Sequence, residues 1–191
     1  MPATLSQNVE ADALLDRDPL ALLIGMVLDQ QVPLEKAFSS PLELTKRLGH
    51  DLDARELAEF DPQELAAVFA QRPALHRFPS SMAGRVQEVC RVLVADYDGD
   101  VNQLWLGVGD GQELLARIAA LPGFGKQKAA IYLALLGKQR GIRPPGWREA
   151  AGAYGADGVY LSVADITDAQ SLALVRESKQ RQKAAAKAAV T

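Results

Sequence analysis

Between Asp18 and Pro33 the chain carries apolar residues at nearly every position, Leu20, Leu22, Leu23, Ile24, Met26, Val27 and Leu28 among them. That pattern predicts a helix capped by Asp18, with Pro19 in its first turn, buried on all sides. It stops at Asp29-Gln30-Gln31-Val32-Pro33, and Leu34 to Phe38 begins another. Polar residues at the exit of an apolar helix are either caps or a functional rim. Three segments follow that open on Ser or Asp and repeat apolar residues every three or four positions: Ser40-Pro41 to Leu48, Asp53 to Phe60, and Asp61-Pro62 to Phe69. They predict a small helical lobe. After a loop from Gln71 to Ser81, an amphipathic helix is expected from Met82 to Tyr97, with Val86, Val89, Cys90, Leu93 and Val94 inward.

Two further helices, Gly111 to Leu121 and Lys126 to Gly137, are separated only by Pro122-Gly123-Phe124-Gly125, a link short enough to force an αα-hairpin. Pro144-Pro145-Gly146 then interrupts, Trp147 to Ala153 reads as a short helix, and Gly152 to Gly158 as a glycine-rich turn region. Asp165 or Asp168 caps a last helix through Val175, which frays into the Lys/Gln/Ala stretch Gln180 to Ala189. Strand-like alternation is missing, so the fold class is all-α. One domain over residues 1–175, with its hairpin at 111–137, is followed by a basic helix or tail over 176–191; two closely packed helical lobes would satisfy the same pattern.

Composition narrows the chemistry. Cys90 is the single cysteine and His50 and His76 are the two histidines. Disulfides, a cysteine-ligated iron–sulfur cluster and a zinc site built from this chain's side chains are thereby excluded. Carboxylates, lysines and amides remain. No apolar run reaches the roughly 18–20 residues of a membrane span, and Met1 to Asp18 lacks the pattern of a signal peptide, so a cytoplasmic protein without membrane contact is expected. The formal net charge of −3 argues against coating nucleic acid by bulk attraction. Positive charge is nevertheless concentrated late in the chain, at Lys126, Lys128, Lys138, Arg140 and Arg143 and again at Arg176, Lys179, Arg181, Lys183 and Lys187.

The hairpin is the most specific feature. Gly123 and Gly125 permit φ > 0 and a close backbone approach, while the following helix aims free N–H groups and its positive dipole end outward. That combination suits a phosphate. Phe124 would tuck back between the two helices, and Lys126 or Lys128 would add charge. The same residues also describe an ordinary tight helix–helix turn.

Leu121-Pro122-Gly123-Phe124-Gly125, followed by a polar triplet and Ala129, resembles the hairpin of the helix-hairpin-helix-GPD superfamily of DNA glycosylases. Leu23 to Val32 is similar to that family's buried helix, whose terminal glutamine enters the DNA stack and maps here onto Gln31, with Gln30 beside it. His76-Arg77-Phe78-Pro79-Ser80-Ser81-Met82-Ala83 is similar to the loop that presents a wedge side chain. Taken alone, Gln30 and Gln31 also suit helix caps, and His76 to Phe78 an ordinary loop. The resemblance implies double-stranded DNA as partner, a monomer, a monovalent cation at the hairpin carbonyls, and extrusion of a nucleotide whose gap a wedge fills.

The chain departs from the family at the catalytic positions. The lysine nucleophile of its bifunctional members aligns with Gln127, so lyase chemistry is not expected. The expected aspartate falls between Ile142 and Arg148, a stretch with no carboxylate before Glu149. Asp165, in Val163-Ala164-Asp165-Ile166, and Asp29 are the replacements, although each also fits a plain helix cap. Trp147 and Tyr160 could stack on a base, although core packing is the expected role of each. The reading is a monofunctional DNA glycosylase with Asp165, or alternatively Asp29, as its carboxylate. The alternatives are a non-catalytic binder of DNA structure and a helical protein-interaction module.

Overall fold

The computed structural model describes residues 4–189, so residues 1–3 of the Met1–Asp18 segment and the last two of the basic tail lie outside it. Asn8 accepts a hydrogen bond from the Ala11 N–H and starts α1 (Val9–Arg17). Leu14 and Leu15 turn this helix inward. The hydrophobic pattern did not single out α1, because only one short turn of it is apolar. Asp18 then accepts from the Leu20 N–H and opens α2 (Pro19–Leu28), whose residues from Leu20 to Leu28 are all buried, as a helix apolar on every side requires.

The second helix after this turn differs from expectation. Leu34 to Leu48 is one continuous α3 rather than two helices, with Pro41 inside it. Proline removes one helical hydrogen bond. The neighbouring Ser40 hydroxyl lies 2.8 Å from the Lys36 carbonyl and 2.7 Å from the Leu75 carbonyl and shares its single proton between them, tying the helix to a distant loop at that point. Gly25 lets α2 and α3 meet closely: a Cβ there would lie 2.6 Å from the Phe38 ring.

Asp53 and Asp61 cap α4 (Ala54–Glu59) and α5 (Pro62–Ala70) as the sequence predicts. Both pack on α6 (Pro79–Tyr97), which begins three residues earlier than its hydrophobic pattern because Pro79 occupies the first turn. Gln87, buried on α6, donates to the Leu57 and Phe60 carbonyls. The hairpin follows as α7 (Gly111–Ala119) and α8 (Lys126–Gln139), with α9 (Trp147–Ala150) packed against both. Trp147 is a core residue whose ring covers Gly137.

The last helix, α10 (Ala169–Ala188), is capped by Asp168 through a reciprocal pair with Ser171, not by Asp165. It runs unbroken to Ala188 where fraying over Gln180 to Ala189 was expected, so a boundary between residues 175 and 176 falls inside one helix. Among the described residues there is no strand, and one hydrophobic core extends from Leu5 to Val175. No described helix is long and apolar enough to cross a membrane.

Candidate nucleic-acid interface and cleft

The loop joining α7 to α8 stands on a buried base. Leu121 is 2 % and Phe124 5 % exposed, while Gly123, Gly125 and Lys126 face solvent. Phe124 packs on Tyr132, its ring centroid 6.0 Å away, and so anchors the loop without projecting from it. Gly123 adopts φ +81°, as the sequence anticipates, and a Cβ there would meet the Arg85 guanidinium at 2.9 Å. Gly125 does not: its φ is −74°, and a Cβ there would point into open space. The backbone there is left uncovered. Among the described residues none donates a hydrogen bond to the carbonyls of Pro122, Gly123 or Phe124. Lys126 is exposed beside this loop and holds no ion pair among the described residues.

Lys128 points the other way. Its ammonium donates to the Met26 carbonyl (2.8 Å) and approaches that of Val27 (3.4 Å), and it lies 5.8 Å above the Phe124 ring. It thus satisfies the C-terminal carbonyls of α2, where cations are favoured, and straps the hairpin to the central helix. Burial lowers its pKa, opposed by Asp29 and assisted by Arg85. Lys128 is a strut between helices rather than an outward phosphate ligand.

Beside this strut lies a cleft of about 750 Å³ with three walls. The end of α2 and start of α3 supply Asp29, Gln30, Gln31 and Glu35; α8 supplies Gln127, Lys128 and Ile131; α10 supplies Leu172, Val175, Arg176, Lys179 and Lys183. The volume is in the range of pockets that enclose small organic ligands. Asp29 sits at the centre of a tight turn (φ −74°, ψ 68°) that the Gln30 N–H closes onto the Leu28 carbonyl, and it lines the cleft. Burial pushes its pKa above the usual carboxylate range, with Lys179 and then Lys128 pulling the other way. Gln30 bends back onto the Val27 carbonyl (3.0 Å), as a helix cap would. Gln31 makes no such bond: it is exposed at φ +56°, a conformation uncommon for a side chain larger than glycine. Gln127 donates to the Tyr154 hydroxyl (2.8 Å).

The loop before α6 divides its three residues between two tasks. His76 is 2 % exposed; its Nδ1 accepts from the Phe78 N–H (3.0 Å), which leaves Nε2–H to donate to the Gln30 carbonyl (2.9 Å). His76 is therefore a buried clamp joining the loop to the rim of the cleft and not a probe. Arg77 and Phe78 are outside, the guanidinium 5.2 Å from the centre of the ring, with Phe78 43 % exposed. Arg47 steadies this arrangement from α3 by donating to the carbonyls of Val68, Gln71 and Pro73.

Asp165 lies elsewhere. Its side chain is 3 % exposed, one oxygen pairs with the Lys138 ammonium at 2.5 Å, and the other accepts the Leu161 and Ser162 N–H groups. It closes a short 3₁₀ turn over Val163–Asp165 and does not line the cleft. Those three bonds make Asp165 an anchor that binds the turn before α10 to α8. Glu149 is exposed on α9, and Tyr160 is 41 % exposed outside the cleft lining.

Two contributions were not legible as site residues. Arg85 reaches the hairpin from α6, a tertiary contact with no local signal. The basic residues of α10 enter the cleft wall because they continue the face of Leu172 and Val175; their spacing of three and four was the available sign.

A sequence-family model described as HhH-GPD superfamily base excision DNA repair protein matches residues 24–190. No curated protein and no solved structure matches the chain.

Proposed function

The chain belongs to the HhH-GPD superfamily of base excision DNA repair proteins, and from that membership and its cleft we propose that it is a monofunctional DNA glycosylase acting on a base extruded from duplex DNA. The observation that carries this reading is Asp29. It is a carboxylate at the mouth of the buried helix, facing a cleft of nucleoside size, with two lysines acting on it electrostatically. Hydrolysis moves the bonding pair of the C1′–N bond onto the departing base, leaving positive charge on the sugar. Water then adds to C1′ and gives up one proton. An ionised Asp29 stabilises that charge and accepts that proton, and a carboxylate whose pKa is raised by burial does the second task better near neutral pH.

The hairpin anchors the DNA backbone through the bare amide face at Gly125, through Lys126 and through the N-terminus of α8. The open carbonyls of Pro122, Gly123 and Phe124 form a neutral oxygen set suited to a monovalent cation, which would offset phosphate charge at the loop. Phe78, braced by Arg77 and by the His76 clamp, is the wedge, and Gln31 enters from the cleft rim. A Schiff-base step has no free amine in the cleft wall that α8 supplies: position 127 is glutamine, Lys128 is engaged with α2, and Lys126 lies outside the cleft lining.

Single-turnover incubation with duplexes carrying alkylated, deaminated or oxidised bases tests the reading. The expected products are a free base and an intact abasic strand that breaks only on later alkali treatment. Salt-sensitive binding without base release from any duplex would favour a second reading, a binder of DNA structure, which the lack of a carboxylate between Ile142 and Arg148 supports.

A further inference from the structure

The basic part of α10 is the largest charged feature that the hairpin and the carboxylate leave without a task. The helix carries five basic residues, Arg176, Lys179, Arg181, Lys183 and Lys187, against the single acid Glu177, in a chain whose net charge is −3. The rest of the molecule is therefore strongly acidic and by itself repels a polyanion. At 100° per residue, Leu172, Val175, Arg176, Lys179 and Lys183 share one face, and all five line the cleft. The first two are buried and fix the helix; Arg176 pairs with Glu35 at the start of α3 and holds it across the opening. Lys179 and Lys183 are exposed along the wall and form no hydrogen bond or ion pair among the described residues, although Lys179 is near enough to Asp29 to act on its charge. Arg181 lies on the opposite side, 3.8 Å from Glu177.

We propose that Lys179 and Lys183 form a second phosphate-binding element, holding the backbone of the DNA strand whose nucleotide enters the cleft, on the wall formed by α10. The inference rests on the cleft being the site of that nucleotide. It goes further in assigning a nucleic-acid contact to a helix outside the hairpin. A base can occupy the cleft only if its own sugar-phosphate follows to the rim, beside an acidic body and a carboxylate. Two unpaired ammonium groups at that rim offset the repulsion.

The test measures duplex affinity by fluorescence anisotropy across a salt series, using DNA with a single abasic-site analogue. The protein is compared with Lys179→Gln/Lys183→Gln, Arg181→Gln and Gly125→Val. Each phosphate contact contributes about 0.9 to the slope of log affinity against log salt. The double lysine variant is expected to lose about 1.8 of that slope and more than tenfold in affinity at low salt, with an unchanged melting temperature. Arg181→Gln should leave the slope within about 0.3 of the parent. An unchanged slope in the lysine variant, or an equal loss per charge at Arg181, overturns the assignment. If Gly125→Val weakens binding and the lysine pair does not, the hairpin reading stands and only the role of α10 falls. Absence of salt-sensitive binding by the parent protein would remove both.

Discussion

Two aspartates occupy opposite environments, and their substitutions should diverge. Asp165 holds Lys138 at 2.5 Å with both side chains largely buried. Removing one partner of such a pair leaves an uncompensated charge, so Asp165→Asn should lower stability by about 3 kcal/mol, read by chemical denaturation. Adding Lys138→Met to Asp165→Asn should recover part of it, because the buried ammonium is gone while the amide oxygen still accepts from the Leu161 and Ser162 N–H groups. Asp29 works the other way. Its folded pKa is raised by burial, so its contribution is intact at low pH and is lost as pH rises through the folded value. Asp29→Asn should therefore raise the melting temperature near neutral pH, and the difference should vanish in acid, where both side chains are neutral. These roles were only half legible. Both residues were visible as carboxylates near helix ends, but a cap and a catalytic group share that signature. What separates them is a lysine 27 positions away in one case and a cleft wall from α10 in the other.

The hairpin was readable as an element because its punctuation is local: a capped helix, a four-residue link and a second helix rich in alanine and leucine. The distinct jobs of its glycines were not, since they depend on Arg85 and on open space. Gly123→Ala should cost about 1–2 kcal/mol, because a side chain must take a left-handed conformation beside the Arg85 guanidinium. Gly125→Ala should change stability by no more than about 0.5 kcal/mol, given its ordinary φ. Thermal melts check both. Duplex binding should fall in the second variant despite its intact fold, since an added methyl group obstructs the backbone approach. Where elements were misjudged, the cause was again tertiary: Pro41 is tolerated within α3, where the Ser40 hydroxyl ties the helix to Leu75, and α10 extends past its buried residues.

At the scale of the molecule, α8 organises the account. Its N-terminus presents the hairpin, Lys128 straps it to α2, Gln127 and Ile131 line the cleft, and Lys138 and Gln139 hold the turn that launches α10. All-α architecture and the order of the three family segments could be read from the sequence. The cleft could not, because its walls come from residues 26–35, 127–131 and 172–183, which are far apart in the chain, and the basic stretch past Val175 had read only as a helix or tail. Excision by such a cleft should quicken as pH rises through the raised pKa of Asp29, and that limb of the profile should be missing without the carboxylate.

The most direct test compares single-turnover base release by the parent protein, Asp29→Asn and Asp165→Asn on whichever damaged duplex is cut, each corrected for its folded fraction. The account predicts a loss on the order of 10²–10⁴ in rate for Asp29→Asn, the usual contribution of a positioned acid–base group. It predicts a near-parental rate for the folded fraction of Asp165→Asn. A parental rate with Asp29→Asn, or a rate lost only with Asp165→Asn while the fold is intact, would contradict it.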